Sequence, residues 1–241
     1  MNCQQCKYDN HNLATYCGKC GHKVSFEKEG DYNIHVRNIS IFFFTILAYI
    51  IFLHFTEYCD NYIALLIADS LFAIIVLIFF AFHYKATIRL FNFRKFKLYI
   101  LYKILICAPL LALIVHFVCN FLNQSVLNKS DSIYYNQFKN SPAPLVFSII
   151  SMAVFPAIFE EIMFRGILFN ESLKITKLKS TILITSILFT ILHLSLLSIF
   201  WIFPIGLAFG YLRAKYNNIL YGMIGHFTYN ACIVLIQIIL N

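Results

Sequence analysis

Polar residues that could take part in a reaction interrupt three apolar stretches in the second half of the chain. Residues 159–165 read Phe-Glu-Glu-Ile-Met-Phe-Arg, a second stretch includes Phe189 and His193, and a third contains His226 and Asn230. An ionisable side chain inside a lipid bilayer is costly unless it is paired or hydrated. Each of these residues therefore requires a partner or a function.

The two adjacent carboxylates are expected to have different roles. Glu161 and Arg165 stand at positions i and i+4, so they share a helix face and can form an ion pair. Glu160 projects about 100° round the helix and is left without that partner. The pattern predicts that Glu161 is neutralised, whereas Glu160 is free to act as an acid or base. A charged cluster that reaches towards the membrane surface is the alternative interpretation.

Two histidines and an asparagine on later segments could join this carboxylate. His226 and Asn230 also stand at i and i+4 on one helix face. A single histidine on an apolar helix is more often a packing residue than a catalyst, but three polar groups on three segments favour a shared site. With a rise of about 1.5 Å per residue, Glu160, His193 and His226 lie at depths compatible with one cavity that faces the cytoplasm.

The composition indicates that the elements carrying these groups cross a membrane. Hydrophobic residues make up 60% of the 241 residues and charged residues 12%, too few polar side chains to cover the core of a soluble protein. The predicted apolar segments are 39–56, 62–83, 98–122, 143–169, 180–198, 200–213 and 218–240. Most approach the ~20 residues that a membrane-spanning helix needs. We therefore predict an all-α fold, a polytopic membrane helix bundle of about seven transmembrane helices within residues 39–241.

Basic residues gather at alternate ends of these segments. They are Lys7, Lys19, Lys23, Lys28, Arg37, Lys85, Arg89, Arg94, Lys95, Lys97, Lys174, Lys177, Lys179, Arg213 and Lys215. Loop 57–61 has none, and loop 123–142 has only Lys129 and Lys139. The positive-inside rule therefore places the N-terminus in the cytoplasm. Basic residues at the membrane surface account for the net charge of +8, so we do not expect nucleic-acid binding.

Four N-terminal cysteines form two Cys-x-x-Cys pairs that are ten residues apart: Cys3, Cys6, Cys17 and Cys20. This spacing is typical of a structural zinc site with four thiolate ligands. We predict a zinc ribbon over residues 1–24, followed by a charged linker over residues 25–38. Two disulfides are the rival interpretation, but a cytoplasmic location would keep the thiols reduced. The ribbon could serve to bind a protein partner.

The motifs in the apolar segments resemble those of the CPBP family of intramembrane proteases, which includes the eukaryotic CaaX prenyl endopeptidase and bacterial proteins tied to bacteriocin immunity. Residues 160–165 match the family pattern Glu-Glu-x-x-x-Arg, residues 189–193 match Phe-x-x-x-His, and residues 226–230 match His-x-x-x-Asn. The resemblance covers about residues 143–235. It implies an intramembrane glutamic endopeptidase in a bacterial plasma membrane, with a membrane-associated protein or peptide as its substrate.

The resemblance also implies a role for each residue, and these roles agree with what peptide hydrolysis requires. Glu160 would activate a water molecule, and His193 would hold or polarise that water. His226 and Asn230 would donate hydrogen bonds to the oxyanion, while the neighbouring ion pair fixes the helix. A catalytic zinc ion held by histidine and glutamate is the less favoured alternative, because the sequence lacks a His-Glu-x-x-His pattern.

Two further functions would use the polar residues differently. A non-catalytic immunity or scaffold protein would use them only to join helices, and it would tolerate conservative exchange of Glu160 or His193. A transporter would depend on Asp69 and Lys103 in the second and third apolar segments. The sequence shows neither repeated halves nor paired interrupted helices, which many transporters contain.

Overall fold

The computed structural model describes residues 2–10, 16–22, 24, 29–55, 61–93, 96–122 and 134–240. Within these ranges the regular structure is helical, apart from one isolated bridge between Asn2 and Asp9. The helices are α1 (Glu29–Phe55), α2 (Tyr62–Phe82), α3 (Tyr84–Thr87), α4 (Leu98–Leu122), α5 (Tyr134–Phe138), α6 (Pro144–Ile175), α7 (Leu178–Ile191), α8 (Ile199–Tyr216) and α9 (Leu220–Leu240). A short 3₁₀ turn, Ile88–Leu90, follows α3.

Each of the seven predicted apolar segments corresponds to one of these helices, which confirms the predicted all-helical membrane fold. Helices α1, α2, α4, α6 and α9 are long and apolar enough to cross a bilayer. The fifth and sixth segments correspond to shorter elements, α7 with 14 residues and α8 with 18. Helix α1 begins at Glu29, so residues 29–38, which were predicted as part of the linker, form the first turns of this helix. Residues 25–28 lie outside the described ranges.

Large apolar side chains cover the outer surface of the bundle. On α4 alone, Ile106, Leu110, Ile114, Phe117 and Phe121 are exposed over more than half of their surface. Such a surface would be unstable in water, but it matches the hydrocarbon of a bilayer. The protein is therefore an integral membrane protein.

Helix α6 forms the centre of the bundle, since every residue from 161 to 173 is buried. Much of this helix has the wider π-helical geometry, over Ile150–Val154, Pro156–Glu160 and Ile162–Leu168. Pro156 has no backbone N–H and cannot continue a regular α-helical hydrogen-bond ladder. Wide turns of this type are frequent at functional sites, which directs attention to this helix.

Side chains from neighbouring helices bind carbonyl groups of the π-helical segment. Arg213 on α8 donates from Nε to the carbonyl of Arg165 at 2.9 Å, and Asn230 on α9 donates from Nδ2 to the carbonyl of Met152 at 2.9 Å. Arg213 also donates to Asn170 and is only 1% exposed. Arg213 lies in the last turn of α8, at the predicted end of the sixth apolar segment, and its guanidinium is buried against α6.

Candidate active site and metal centre

The ion pair expected between neighbouring turns of α6 lies in the protein interior. Arg165 Nη1 is 2.8 Å from Glu161 Oε1, and both side chains are almost fully buried. The guanidinium carbon of Arg165 lies 4.5 Å from the centre of the Phe189 ring and 5.4 Å from that of Phe209, which are cation–π distances. Arg165 is thus held by a carboxylate and two aromatic faces.

His226 connects the two adjacent glutamates. Its Nδ1 is 3.3 Å from Glu161 Oε1, and its Nε2 is 3.9 Å from Glu160 Oε2. Glu161 therefore contacts both Arg165 and His226, whereas the sequence assigned it only the pairing with Arg165. A carboxylate that binds one imidazole nitrogen fixes the ring and directs the other nitrogen, here towards Glu160.

The close approach of α9 to α6 depends on a glycine. A Cβ atom built on Gly222 would meet the Glu161 carboxylate, so a larger residue there would force the carboxylate or α9 to shift. The second carboxylate oxygen of Glu161, Oε2, is buried and makes no hydrogen bond. Gly222 thus leaves the space in which this carboxylate reaches His226. The sequence analysis did not identify this role.

His193 lies just beyond the C-terminal end of α7, whereas the sequence predicted it inside a span that extends to residue 198. The helix ends because Leu194 adopts a left-handed conformation with φ of 47°, and His193 is exposed. Nδ1 of His193 is 2.9 Å from the carbonyl oxygen of Phe189, which assigns a proton to Nδ1. Nε2 is then the nitrogen that can accept a hydrogen bond from water.

A cavity of about 540 Å³ brings together the four residues that the sequence proposed as catalytic: Glu160, His193, His226 and Asn230. They come from α6, the end of α7 and α9, and residues of α4 and α8 complete the wall. The Glu160 side chain is 24% exposed, and its Oε2 makes no hydrogen bond. Glu160 is therefore the carboxylate that combines access to the cavity with an oxygen outside the hydrogen-bond network.

The residues that a transporter would require do not form a pair. Asp69 accepts a hydrogen bond from Ser151 and lines a smaller cavity of about 180 Å³ that also includes Glu160. The Lys103 ammonium lies 5.8 Å from the centre of the Tyr99 ring on α4. Asp69 thus shares the smaller cavity with Glu160, whereas Lys103 contacts an aromatic ring of its own helix.

The four N-terminal cysteines converge on one point. Their Sγ atoms all lie within 4.8 Å of one another, an arrangement that could bind a metal ion. The two Cys-x-x-Cys turns repeat the same backbone pattern, in which Lys7 N–H donates to the Cys3 carbonyl and Gly21 N–H donates to the Cys17 carbonyl, each at 2.9 Å. Lys7 and Gly21 both have positive φ, of 55° and 75°. Four converging sulfur ligands in this geometry suit zinc.

The electrostatic surroundings of one sulfur favour the thiolate that a metal requires. Desolvation raises the pKa of Cys17, but hydrogen bonds from the backbone N–H groups of Cys20 and Lys19, with a smaller contribution from the Asn10 side chain, outweigh it. The result is a pKa of about 6 for the Cys17 thiol. The thiolate is the form that ligates metal ions, so Cys17 is prepared for binding. At Cys20 a backbone hydrogen bond at His22 lowers the pKa, but burial and the neighbouring thiols outweigh it and raise the pKa to about 12.

The Cys-rich segment contacts the connection between α6 and α7. A Cβ atom on Gly18 would lie 3.1 Å from the Leu178 side chain, and one on Gly21 would lie 2.8 Å from Lys177 Nζ. Val24 packs with Leu178 against a small buried cluster formed by Phe169 and Leu173. The segment is therefore docked on the transmembrane part of the chain.

Metal analysis can separate the cysteine site from the intramembrane site. We expect about one zinc ion per chain in the purified protein, almost none in a Cys17→Ser variant, and an unchanged content in His193→Ala, because four thiolates complete a tetrahedral shell. The measurement is elemental analysis of each variant. Zinc retained by Cys17→Ser, or lost from His193→Ala, would contradict this assignment.

Comparison with protein families gives one match, to the model of the type II CAAX prenyl endopeptidase Rce1-like family, over residues 142–232. The matched region contains all three motifs, and it confirms the resemblance to the CPBP proteases over nearly the predicted range. Searches of curated proteins and of solved structures gave no match. The matched region includes Glu160, His193, His226 and Asn230, which line the cavity.

Proposed function

We propose that this chain, whose residues 142–232 carry a domain of the type II CAAX prenyl endopeptidase Rce1-like family, is an intramembrane endopeptidase in which Glu160 activates the attacking water. The observation that supports this most strongly is the convergence of Glu160, His193, His226 and Asn230 on one cavity. These groups come from three parts of the chain, and ionisable side chains that meet inside a bilayer are rare and commonly mark a functional site.

In the proposed reaction Glu160 is the base. Its side chain is 24% exposed and lines the cavity, so a water in the cavity can transfer a proton to the carboxylate, whose Oε2 lies 3.9 Å from Nε2 of His226. Nε2 of His193 accepts a hydrogen bond from the same water and orients its lone pair towards the scissile carbonyl. The C–N bond then breaks as the protonated Glu160 returns the proton to the departing nitrogen, which gives an amine and a carboxylic acid that releases its remaining proton to solvent.

The developing oxyanion requires hydrogen-bond donors, and α9 supplies two. Asn230 uses one amide N–H for the Met152 carbonyl, which fixes the side chain and leaves the second N–H for the substrate. His226 would donate from Nε2, while Glu161, 3.3 Å from its Nδ1, fixes the orientation of the ring. Donors that are fixed before the reaction stabilise the transition state most effectively.

The proposed site uses no metal ion. Among the described residues, the four N-terminal cysteines are the one group of three or more metal-ligating side chains whose donor atoms converge within 4.8 Å. At the intramembrane site Glu160 and His226 lie 3.9 Å apart at their nearest atoms, and the sequence lacks the His-Glu-x-x-His pattern that places two ligands one helical turn apart. We therefore assign the zinc of this protein to the ribbon and the water activation to the carboxylate.

The proposed orientation places the N-terminus in the cytoplasm of a bacterial cell. The ribbon contacts Lys177 and Leu178, which precede and begin α7, and the basic residues Lys174, Lys177 and Lys179 surround this connection. The ribbon and this connection therefore lie on the same side of the membrane, and the positive-inside rule identifies that side as cytoplasmic. The substrate is a membrane-associated protein or peptide that enters the cavity from the bilayer.

Comparison of membrane-protein fragments tests this proposal directly. Cells expressing the wild-type chain should contain protein fragments that are missing from cells expressing Glu160→Gln. The matched control is Ile158→Ala, because Ile158 is 38% exposed two residues earlier on α6. This control should give the wild-type fragments. Identical fragments from the wild type and Glu160→Gln would support a protein whose polar groups only join helices, and would overturn the proposal.

A further inference from the structure

The cavity of about 540 Å³ is lined by one part of each helix that contributes to it. Helix α7 contributes Phe189 near its end and His193 just beyond its end, and α8 contributes Trp201 in its first turn. Helix α4 contributes His116 and its neighbours in its last third, and the lining residues of α6 all precede Glu161. The directions of the helices decide whether these parts lie at one end of the bundle.

Helices α7 and α8 run in opposite directions. A Cβ atom on Gly206 would lie 3.2 Å from the side chain of Ser186, and one on Gly210 would lie 3.1 Å from that of Ile182. The residue numbers thus rise on α8 as they fall on α7. The end of α7, with His193, is therefore at the level of the start of α8.

The remaining helices follow the same arrangement. Asn230 near the end of α9 binds the Met152 carbonyl near the start of α6, and Gly222 near the start of α9 lies against Glu161, so these helices are antiparallel. The backbone N–H that precedes α4 donates to the Tyr221 hydroxyl at the start of α9, and the later parts of both helices line the cavity. All the lining residues therefore lie in one half of the bundle.

The cavity is open at this end and closed in the direction of the ribbon. His193 and Ser195, in the connection between α7 and α8, line the cavity and are exposed. In the other direction, every residue of α6 from 161 to 173 is buried. The ribbon contacts Leu178 beyond this buried part of α6, so it lies about 20 Å from Glu160 along the helix axis. The ribbon and the mouth of the cavity are at opposite ends of the bundle.

Basic residues distinguish these two ends. The end that carries the ribbon has four lysines within or beside its connections: Lys174, Lys177, Lys179 and Lys215. The connection 192–198 at the cavity end contains no Lys or Arg, and loop 123–142, which follows α4, contains only Lys129 and Lys139. The positive-inside rule therefore makes the ribbon end cytoplasmic and the mouth of the cavity extracytoplasmic. The sequence predicted a cavity that faces the cytoplasm, but a depth near the middle of a helix does not show which end is open.

We propose that the active site opens to the extracytoplasmic side, and that its substrates are peptide segments of membrane proteins that lie in the outer half of the bilayer or at its surface. This inference rests on the proposed endopeptidase function and on the proposed orientation, and it adds the side from which the substrate comes. The ribbon and the site then face opposite sides of the membrane. A cytoplasmic partner of the ribbon would not contact the substrate.

Cysteine labelling tests the side of the cavity without any need for activity. The parent chain keeps the four ribbon cysteines and has alanine in place of Cys59, Cys107, Cys119 and Cys232. Leu196→Cys, at a residue of the cavity end that is 84% exposed, should react with a membrane-impermeant maleimide in right-side-out membrane vesicles. Lys179→Cys, at an exposed residue of the ribbon end, should react only after detergent opens the vesicles. The reverse pattern would overturn the inference.

A second experiment tests the side of the substrate. The probe is a water-soluble peptide that spans a bond cleaved by the wild type but not by Glu160→Gln. Right-side-out vesicles should cleave it at least about tenfold faster than everted vesicles, because the polar main-chain groups of a peptide prevent it from crossing the hydrocarbon. After solubilisation in detergent, both preparations should cleave it at the same rate, and Glu160→Gln vesicles should not cleave it.

The outcomes separate this inference from the proposed function. Faster cleavage by everted vesicles would overturn the extracytoplasmic substrate while leaving an active endopeptidase. No cleavage by the wild type in detergent would defeat the proposed function and the substrate assignment together, whereas the labelling pattern would still decide the side on which the cavity opens.

Discussion

Glu160→Gln should lower the rate of peptide cleavage by about a thousandfold while leaving the protein folded. Glutamine has the shape of glutamate but cannot take a proton from water, and general base catalysis typically contributes a factor of about 10² to 10⁴. The substitution should not break the fold, because Oε2 of Glu160 makes no hydrogen bond. Purified variants in liposomes with a peptide taken from the fragment comparison provide the measurement.

The control for this experiment combines activity with stability. Ile158→Ala should retain the wild-type rate, and thermal unfolding of Glu160→Gln should match the wild type within a few degrees. A Glu160→Gln protein that unfolds normally and keeps more than a tenth of the activity would show that another group is the base. His193 and His226 would then be the residues to examine.

Arg165→Met should cause the largest loss of stability among single substitutions near the cavity. The change leaves Glu161 buried without its ion-pair partner, and removal of one partner from a buried pair typically costs about 3 to 5 kcal/mol. It also removes the guanidinium from between the rings of Phe189 and Phe209. Cleavage should be lost as well, because Glu161 would no longer be fixed where it orients His226. Thermal unfolding in detergent measures the first effect.

Two comparisons make this prediction specific. Lys179→Met removes an exposed basic residue and should leave unfolding unchanged. The double variant Glu161→Gln with Arg165→Met should recover part of the stability, because no charge is then left unpaired. Gly222→Ala should reduce activity as well, since its Cβ would meet the Glu161 carboxylate. An Arg165→Met protein as stable as Lys179→Met would contradict the buried ion pair.

The helical architecture could be predicted from the sequence because each membrane-spanning helix needs a run of about 20 apolar residues. Residues 98–122 were predicted as one apolar segment, and α4 has those limits. The spacing of Glu161 and Arg165 predicted a contact that needs only one helical turn, and the structure contains it. The two Cys-x-x-Cys pairs likewise predicted a group of four sulfurs, because the spacing itself defines the geometry.

Other features depend on how helices approach one another, which a single sequence does not determine. The Arg165 carbonyl in the π-helical part of α6 accepts a hydrogen bond from Arg213, a contact that the position of Arg213 at the end of a segment does not reveal. The contact between Glu161 and His226 requires the small size of Gly222 on α9. His116 joins the cavity only because α4 and α9 run side by side. Each of these arises from packing between segments that are distant along the chain.

A cryo-electron microscopy map of the Glu160→Gln protein with an uncleaved peptide tests the central proposal most directly. The proposal predicts that the scissile carbonyl oxygen lies within hydrogen-bond distance of His226 and Asn230, with residue 160 and His193 on the side from which water attacks. A peptide bound elsewhere, or a residue 160 side chain that faces the lipid, would contradict it.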